Sequence, residues 1–78
     1  MSRLPLCSSD EIIRALRRAG FQKAHSSGSH QTMEKRLGSK TITTVVPLGK
    51  REVPRGTLHG ILRLAEMSQA EFHRHLRS

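Results

Sequence analysis

The most constraining stretch of the chain is Thr41-Ile42-Thr43-Thr44-Val45-Val46, in which every residue is β-branched. Two heavy atoms on Cβ restrict χ1 and crowd a helix, whereas the same side chains pack well on a pleated surface, so the run predicts a strand. Pro47, which has no N–H to give to a ladder, ends it. Upstream, Leu37-Gly38-Ser39-Lys40 reads as a turn and the residues from His30 to Arg36 as a second strand. Ser26-Ser27-Gly28 supplies an earlier turn, and before it Phe21, Lys23 and His25 alternate against Gln22 and Ala24 with the two-residue period of a strand. Three consecutive strands joined by tight turns predict an antiparallel meander.

The flanking segments have helical spacing. Ser8 and Glu11 are placed as a capping box, Ile12, Ile13, Leu16 and Ala19 follow as an apolar stripe, and Gly20 suits a C-terminal cap. Arg14, Arg17 and Arg18 fall mostly off that stripe, as a solvated face or as a ridge toward phosphate. Pro54-Arg55-Gly56-Thr57 leads into a second helix carrying Leu58, Ile61, Leu62 and Ala65, expected to end near Met67. Gly60 inside it weakens the helix by roughly 1 kcal/mol relative to Ala, which reads as a mark of close packing. Ser68-Gln69-Ala70-Glu71 repeats the capping signature before a short last helix with Phe72 and Leu76 one turn apart. The expected architecture is α+β: one domain over residues 1–78, with a three-stranded antiparallel sheet, helices on one face and the other face open.

At 78 residues the core is thin and any active site shallow. A formal charge of +8, from 14 Lys and Arg against 6 Asp and Glu, favours a polyanionic partner such as RNA, DNA or an acidic protein. Phe21 and Phe72 are the only aromatics and Phe21 is assigned to the core, which argues against a base-stacking platform. Cys7 is alone, so no internal disulfide forms and a reducing compartment fits best. No apolar run approaches bilayer length, and Met1-Ser2-Arg3-Leu4-Pro5-Leu6 is too short and polar for a signal peptide. The expectation is a soluble, cytoplasmic monomer.

Gly28-Ser29-His30 is where the chemistry is expected, because a small-residue turn holds an imidazole away from the core and histidine exchanges protons near neutrality. His25 flanks the same turn. Two histidines offer a base and an acid for RNA cleavage, in which a 2′-hydroxyl attacks the neighbouring phosphodiester and the 5′-oxygen leaves; the plain alternative is a pair of exposed turn residues. Lys23, Lys35, Arg36 and Lys40 are expected to cluster on or beside the sheet, to track a phosphate backbone or simply to confer solubility. Ser26, Ser27 and Ser29 are possible donors to phosphate, or ordinary turn residues. His73 and His75 read as solvent-facing, and His59 as a partly buried, hydrogen-bonded packing residue. No acidic cluster and no four convergent ligands are available for a metal.

Taken together, Ala15-Leu16-Arg17-Arg18-Ala19-Gly20-Phe21, Gly28-Ser29-His30, Val46-Pro47, and Gly56-Thr57-Leu58 with Ile61-Leu62 resemble, in order and spacing, the HicA toxins of bacterial type II toxin–antitoxin modules. The likeness covers nearly the whole chain. It implies a double-stranded-RNA-binding-domain-like α-β-β-β-α fold and an endoribonuclease that cleaves mRNA without metal or cofactor. The motif histidine is the catalytic residue of that family, which carries onto His30 as general acid or base. The resemblance also implies a HicB-like antitoxin covering the active face. Two positions depart from the family pattern: Met33 stands where an aromatic is frequent, removing a possible stacking ring, and Gly49 where a second histidine is frequent, removing a possible proton carrier. These departures motivate the competing expectation, a non-catalytic RNA- or protein-binding module on the same scaffold.

Overall fold

The computed structural model describes residues 3–77. Met1 and Ser2, at the start of the segment weighed as a signal peptide, lie outside the described residues, as does Ser78. In chain order the elements are α1 (Ser9–Arg18), β1 (Gln22–Ser27), β2 (His30–Leu37), β3 (Lys40–Pro47), α2 (Arg55–Leu64) and α3 (Gln69–Arg77). The strands form one antiparallel sheet in the order β1-β2-β3, so the expected α-β-β-β-α order with an added C-terminal helix is the one observed. Both hairpins close on two residues, Gly28-Ser29 and Gly38-Ser39. Gly28 (φ 58°) and Gly38 (φ 61°) occupy the left-handed region while the serines do not, the pattern of type II′ turns whose twist matches the strands. Ser26 and Ser27, expected in the turn, therefore belong to β1.

The two-residue period of the strands decides what each face carries. On β3, Ile42, Thr44 and Val46 are buried while Thr41, Thr43 and Val45 are exposed; on β2, Gln31 and Met33 are buried. The helices cover this inner face with Ile12, Ile13, Ala15 and Leu16 of α1, Leu58, Ile61 and Leu62 of α2, and Phe72 of α3. Thr44 is the one polar threonine in that layer, and its Oγ1 donates to the Ile61 carbonyl at 2.8 Å, which satisfies a hydroxyl that burial would otherwise penalise. Leu4 and Cys7 complete the core from before α1, held there by Val53 N–H donating to the Cys7 carbonyl at 2.7 Å and Arg55 Nε donating to the Leu4 carbonyl at 2.6 Å.

The helix ends follow their sequence signals with one exception. Ser8 and Glu11 form the reciprocal capping box of α1, and Ser68 and Glu71 make the same two bonds ahead of α3. After α2 the chain turns at Leu64 rather than Met67: Glu66 N–H donates to the Arg63 carbonyl and Met67 N–H to the Leu62 carbonyl, a Schellman closure that places Glu66 at φ 54° where glycine is usual. Three packing expectations are corrected. A Cβ on Gly60 meets nothing within 4 Å, so close packing is not the reason for that glycine. His59 lies one position off the buried stripe and is exposed, whereas His73 and His75, expected to face solvent, are half-buried.

Candidate active site on the open sheet face

His30 opens β2 opposite Pro47 of β3 and closes the first hairpin opposite Ser27. Its even-numbered position puts the side chain on the face that no helix covers, and it is exposed there. Ser29 Oγ lies 3.3 Å from His30 Nδ1. Among the described residues Nε2 has no partner, so the outer ring nitrogen is left to a ligand. A hydroxyl both donates and accepts, so Ser29 supports either tautomer: accepting a hydrogen bond from Nδ1–H it leaves a lone pair on Nε2, and donating to Nδ1 it leaves the ring proton on Nε2.

Beside this ring the β1–β2 register sets His25 opposite Thr32, whose Oγ1 is 3.4 Å from His25 Nε2. His25 and His30 thus share the open face as diagonal neighbours across the hairpin, a relation that separates Cα atoms by about 7–8 Å. Gln31, on the inner face, donates from Nε2 to the carbonyls of His25 and Thr32 at 3.0 Å each, which fixes β1 against β2 at this point. On the other side, Leu48 N–H donates to the Ser29 carbonyl at 2.6 Å, and buried Ser9 donates from Oγ to the Pro47 carbonyl at 2.6 Å while accepting from Lys50 N–H at 3.0 Å. The loop after β3 is therefore pinned beside the histidine turn. It carries Lys50 and Arg51, both exposed, to the same end of the sheet. The bonds between Ser9 and the backbone of Lys50 set this loop beside the start of α1.

The four cations expected around His30 do not gather there. Lys35 is odd-numbered on β2 and faces the helical layer, with Nζ 5.8 Å from the centroid of the Phe21 ring. Lys40 belongs to the inner-facing set of β3 and pairs with Glu66 at 2.9 Å. Lys23 stands opposite buried Met33 and so faces the α1 side. Arg36 shares the face of His30, but it lies six residues further along β2, about 20 Å at the rise of an extended strand, and its Nη2 is 3.5 Å from Glu34 Oε2. Of the residues assigned to substrate contact, the fold brings His25 and Ser29 to His30 and disperses Lys23, Lys35, Arg36 and Lys40.

Both family departures acquire a physical reading. Met33 is fully buried on the face opposite His30, so a larger ring at that position adds core volume rather than a stacking surface over the site. Gly49 has φ 73°, a backbone conformation in which a histidine would be strained. Among the described residues no group of three or more His, Cys, Asp or Glu is placed to hold a metal ion, and no helix is long and apolar enough to cross a membrane.

No curated protein sequence matches the chain. The family described as "HicA toxin of bacterial toxin-antitoxin" does match, over residues 9–67 of the 78, a span that runs from the first turn of α1 past the end of α2 and includes Ser29, His30 and the loop beside them. With the helix, meander and helix order in place and an exposed histidine at the meander's first turn, the chain belongs to the HicA toxin family of bacterial toxin–antitoxin modules.

Proposed function

We propose that this toxin acts as an endoribonuclease on mRNA, with His30 moving the protons and an antitoxin of the HicB type covering the open face when the module is silent. The observation that carries this reading is the exposed His30 ring, braced at Nδ1 by Ser29 and unpartnered at Nε2. In the reaction, His30 Nε2 takes the proton of a ribose 2′-hydroxyl, the oxygen attacks the adjacent phosphorus, and the P–O5′ bond breaks. The products are a 2′,3′-cyclic phosphate and a 5′-hydroxyl, the departing oxygen taking up one proton. His25, on the same face, is the second imidazole within range of one phosphodiester and serves as the acid for that departure. Lys50 and Arg51, exposed in the loop that follows β3, supply positive charge to the phosphate as it gains electron density.

Purified protein incubated with single-stranded RNA in EDTA tests the reading. Cleavage of the strand into shorter fragments with the chelator present is the expected result. RNA that is bound but keeps its full length would instead identify a non-catalytic binding module.

A further inference from the structure

A bulge interrupts the β1–β2 ladder between Lys23 and His25. In a regular strand two residues separated by one share a face; the extra residue, Ala24, breaks that alternation. As a result His25 stands on the open face beside His30 while Lys23 projects to the other side of the sheet, into a trough between α1 and β1. Asp10, Ile13, Arg14, Arg17, Arg18 and Lys23 line this trough, whose volume is about 450 Å³. Four cations face one carboxylate there. Arg14, Arg17 and Lys23 take part in neither the Arg36–Glu34 nor the Lys40–Glu66 ion pair, whereas Arg18 donates from Nη1 to the His75 carbonyl at 3.0 Å.

We propose that the trough is a second RNA subsite: a single strand engaged at His30 crosses the free edge of β1 at the bulge and lays its flanking phosphates along Arg14, Arg17 and Lys23. The inference rests on the reading of the chain as an RNA-cleaving toxin. Charge complementarity favours a polyphosphate over a protein segment, because four of the six lining side chains are cationic and Ile13 is the one apolar residue among them. Ile13 is 8% exposed and both phenylalanines are buried, whereas protein contacts draw their energy from large side chains inserted into apolar pockets. A flexible strand also follows a surface that turns from one side of a sheet to the other within a molecule 35 Å long, a bend that a stiff duplex resists. With no ring among the residues that line the trough, binding here is electrostatic and tolerant of sequence.

Anisotropy of a labelled single-stranded oligoribonucleotide, measured over a range of salt with the His30→Ala protein so that the strand survives, tests the subsite. Adding Arg14→Gln and Arg17→Gln removes two phosphate contacts, so the slope of log K against log salt becomes shallower by about 1.4, at about 0.7 per contact on a single strand. Lys23→Gln on its own flattens it by about 0.7. Arg63→Gln, an exposed change on α2, leaves the slope unaltered. Equal slopes for the double variant and the Arg63 control would overturn the proposal, as would an unaltered RNA slope accompanied by lost binding to the cognate antitoxin, which would make the trough a protein dock. If the parent leaves RNA uncut but the slopes differ as stated, the cleavage reading fails and the subsite stands. If the parent cuts RNA and the slopes are equal, cleavage stands and the subsite fails.

Discussion

Ser9 and Pro47 are 38 residues apart in the chain, yet the serine hydroxyl donates to the proline carbonyl at 2.6 Å and takes the N–H of Lys50 at 3.0 Å. One buried side chain thereby ties the start of α1 to the loop that borders His30. Ser9→Ala leaves a carbonyl and an N–H without partners, an expected loss of about 1–3 kcal/mol in urea denaturation. The backbone bond from Ser9 N–H to the Lys50 carbonyl at 2.9 Å remains in the variant, so the loop stays tethered and the loss is one of stability. Stability within a few tenths of a kcal/mol of the parent would show the clamp to be dispensable.

Gly60 stands inside α2 with open space where its Cβ would be. Gly60→Ala is expected to raise stability by about 1 kcal/mol through helix propensity alone, read as a higher denaturant midpoint at unchanged slope. A lower midpoint would mean that the position needs glycine for a contact the fold does not display.

Glu71 accepts from the backbone N–H of Ser68 and from its hydroxyl, and Arg74 and Lys35 lie close enough to favour the carboxylate; together these hold its pKa below the usual carboxylate range. A group whose folded pKa is depressed contributes stability above its unfolded pKa and loses it as pH falls through the folded one. Chemical denaturation at neutral and acid pH should therefore show a smaller acid loss for Glu71→Gln than for the parent. Parallel losses in the two proteins would remove Glu71 from the acid response.

Cys7 is 1% exposed, and burial, with the nearby Glu11 carboxylate second, raises its thiol pKa. Both effects oppose the reactive thiolate. A thiol-specific chromogenic reagent at mildly alkaline pH should label the native protein slowly and the urea-unfolded protein at once. Fast labelling of the native protein would place Cys7 at the surface.

The meander was legible because its signals are local. The β-branched run of 41–46 and the glycines at 28 and 38 each act within a few residues, and the capping boxes at Ser8 and Ser68 need only their own turn. What escaped was whatever depends on parity or distant partners. Lys35 looks like a neighbour of His30 until the register shows that an odd offset on a strand sends it to the other face. Lys23 and His25 look equivalent until the bulge separates them. Ser9 looks like part of a helix start, and nothing local reveals its bond to Pro47. Leu4 and Cys7 belong to no periodic stretch, so their place in the core comes from distant partners, Arg55 for Leu4 and Val53 for Cys7.

The central claim is tested most directly by His30→Ala. The ring is exposed and its one bond is to a neighbouring serine, so the variant should melt with the parent. With single-stranded RNA in EDTA, the parent should release fragments ending in 2′,3′-cyclic phosphate while the variant leaves the strand whole. Fragments of the same kind, formed by the folded variant at the parent's rate, would contradict the assignment of proton transfer to this imidazole.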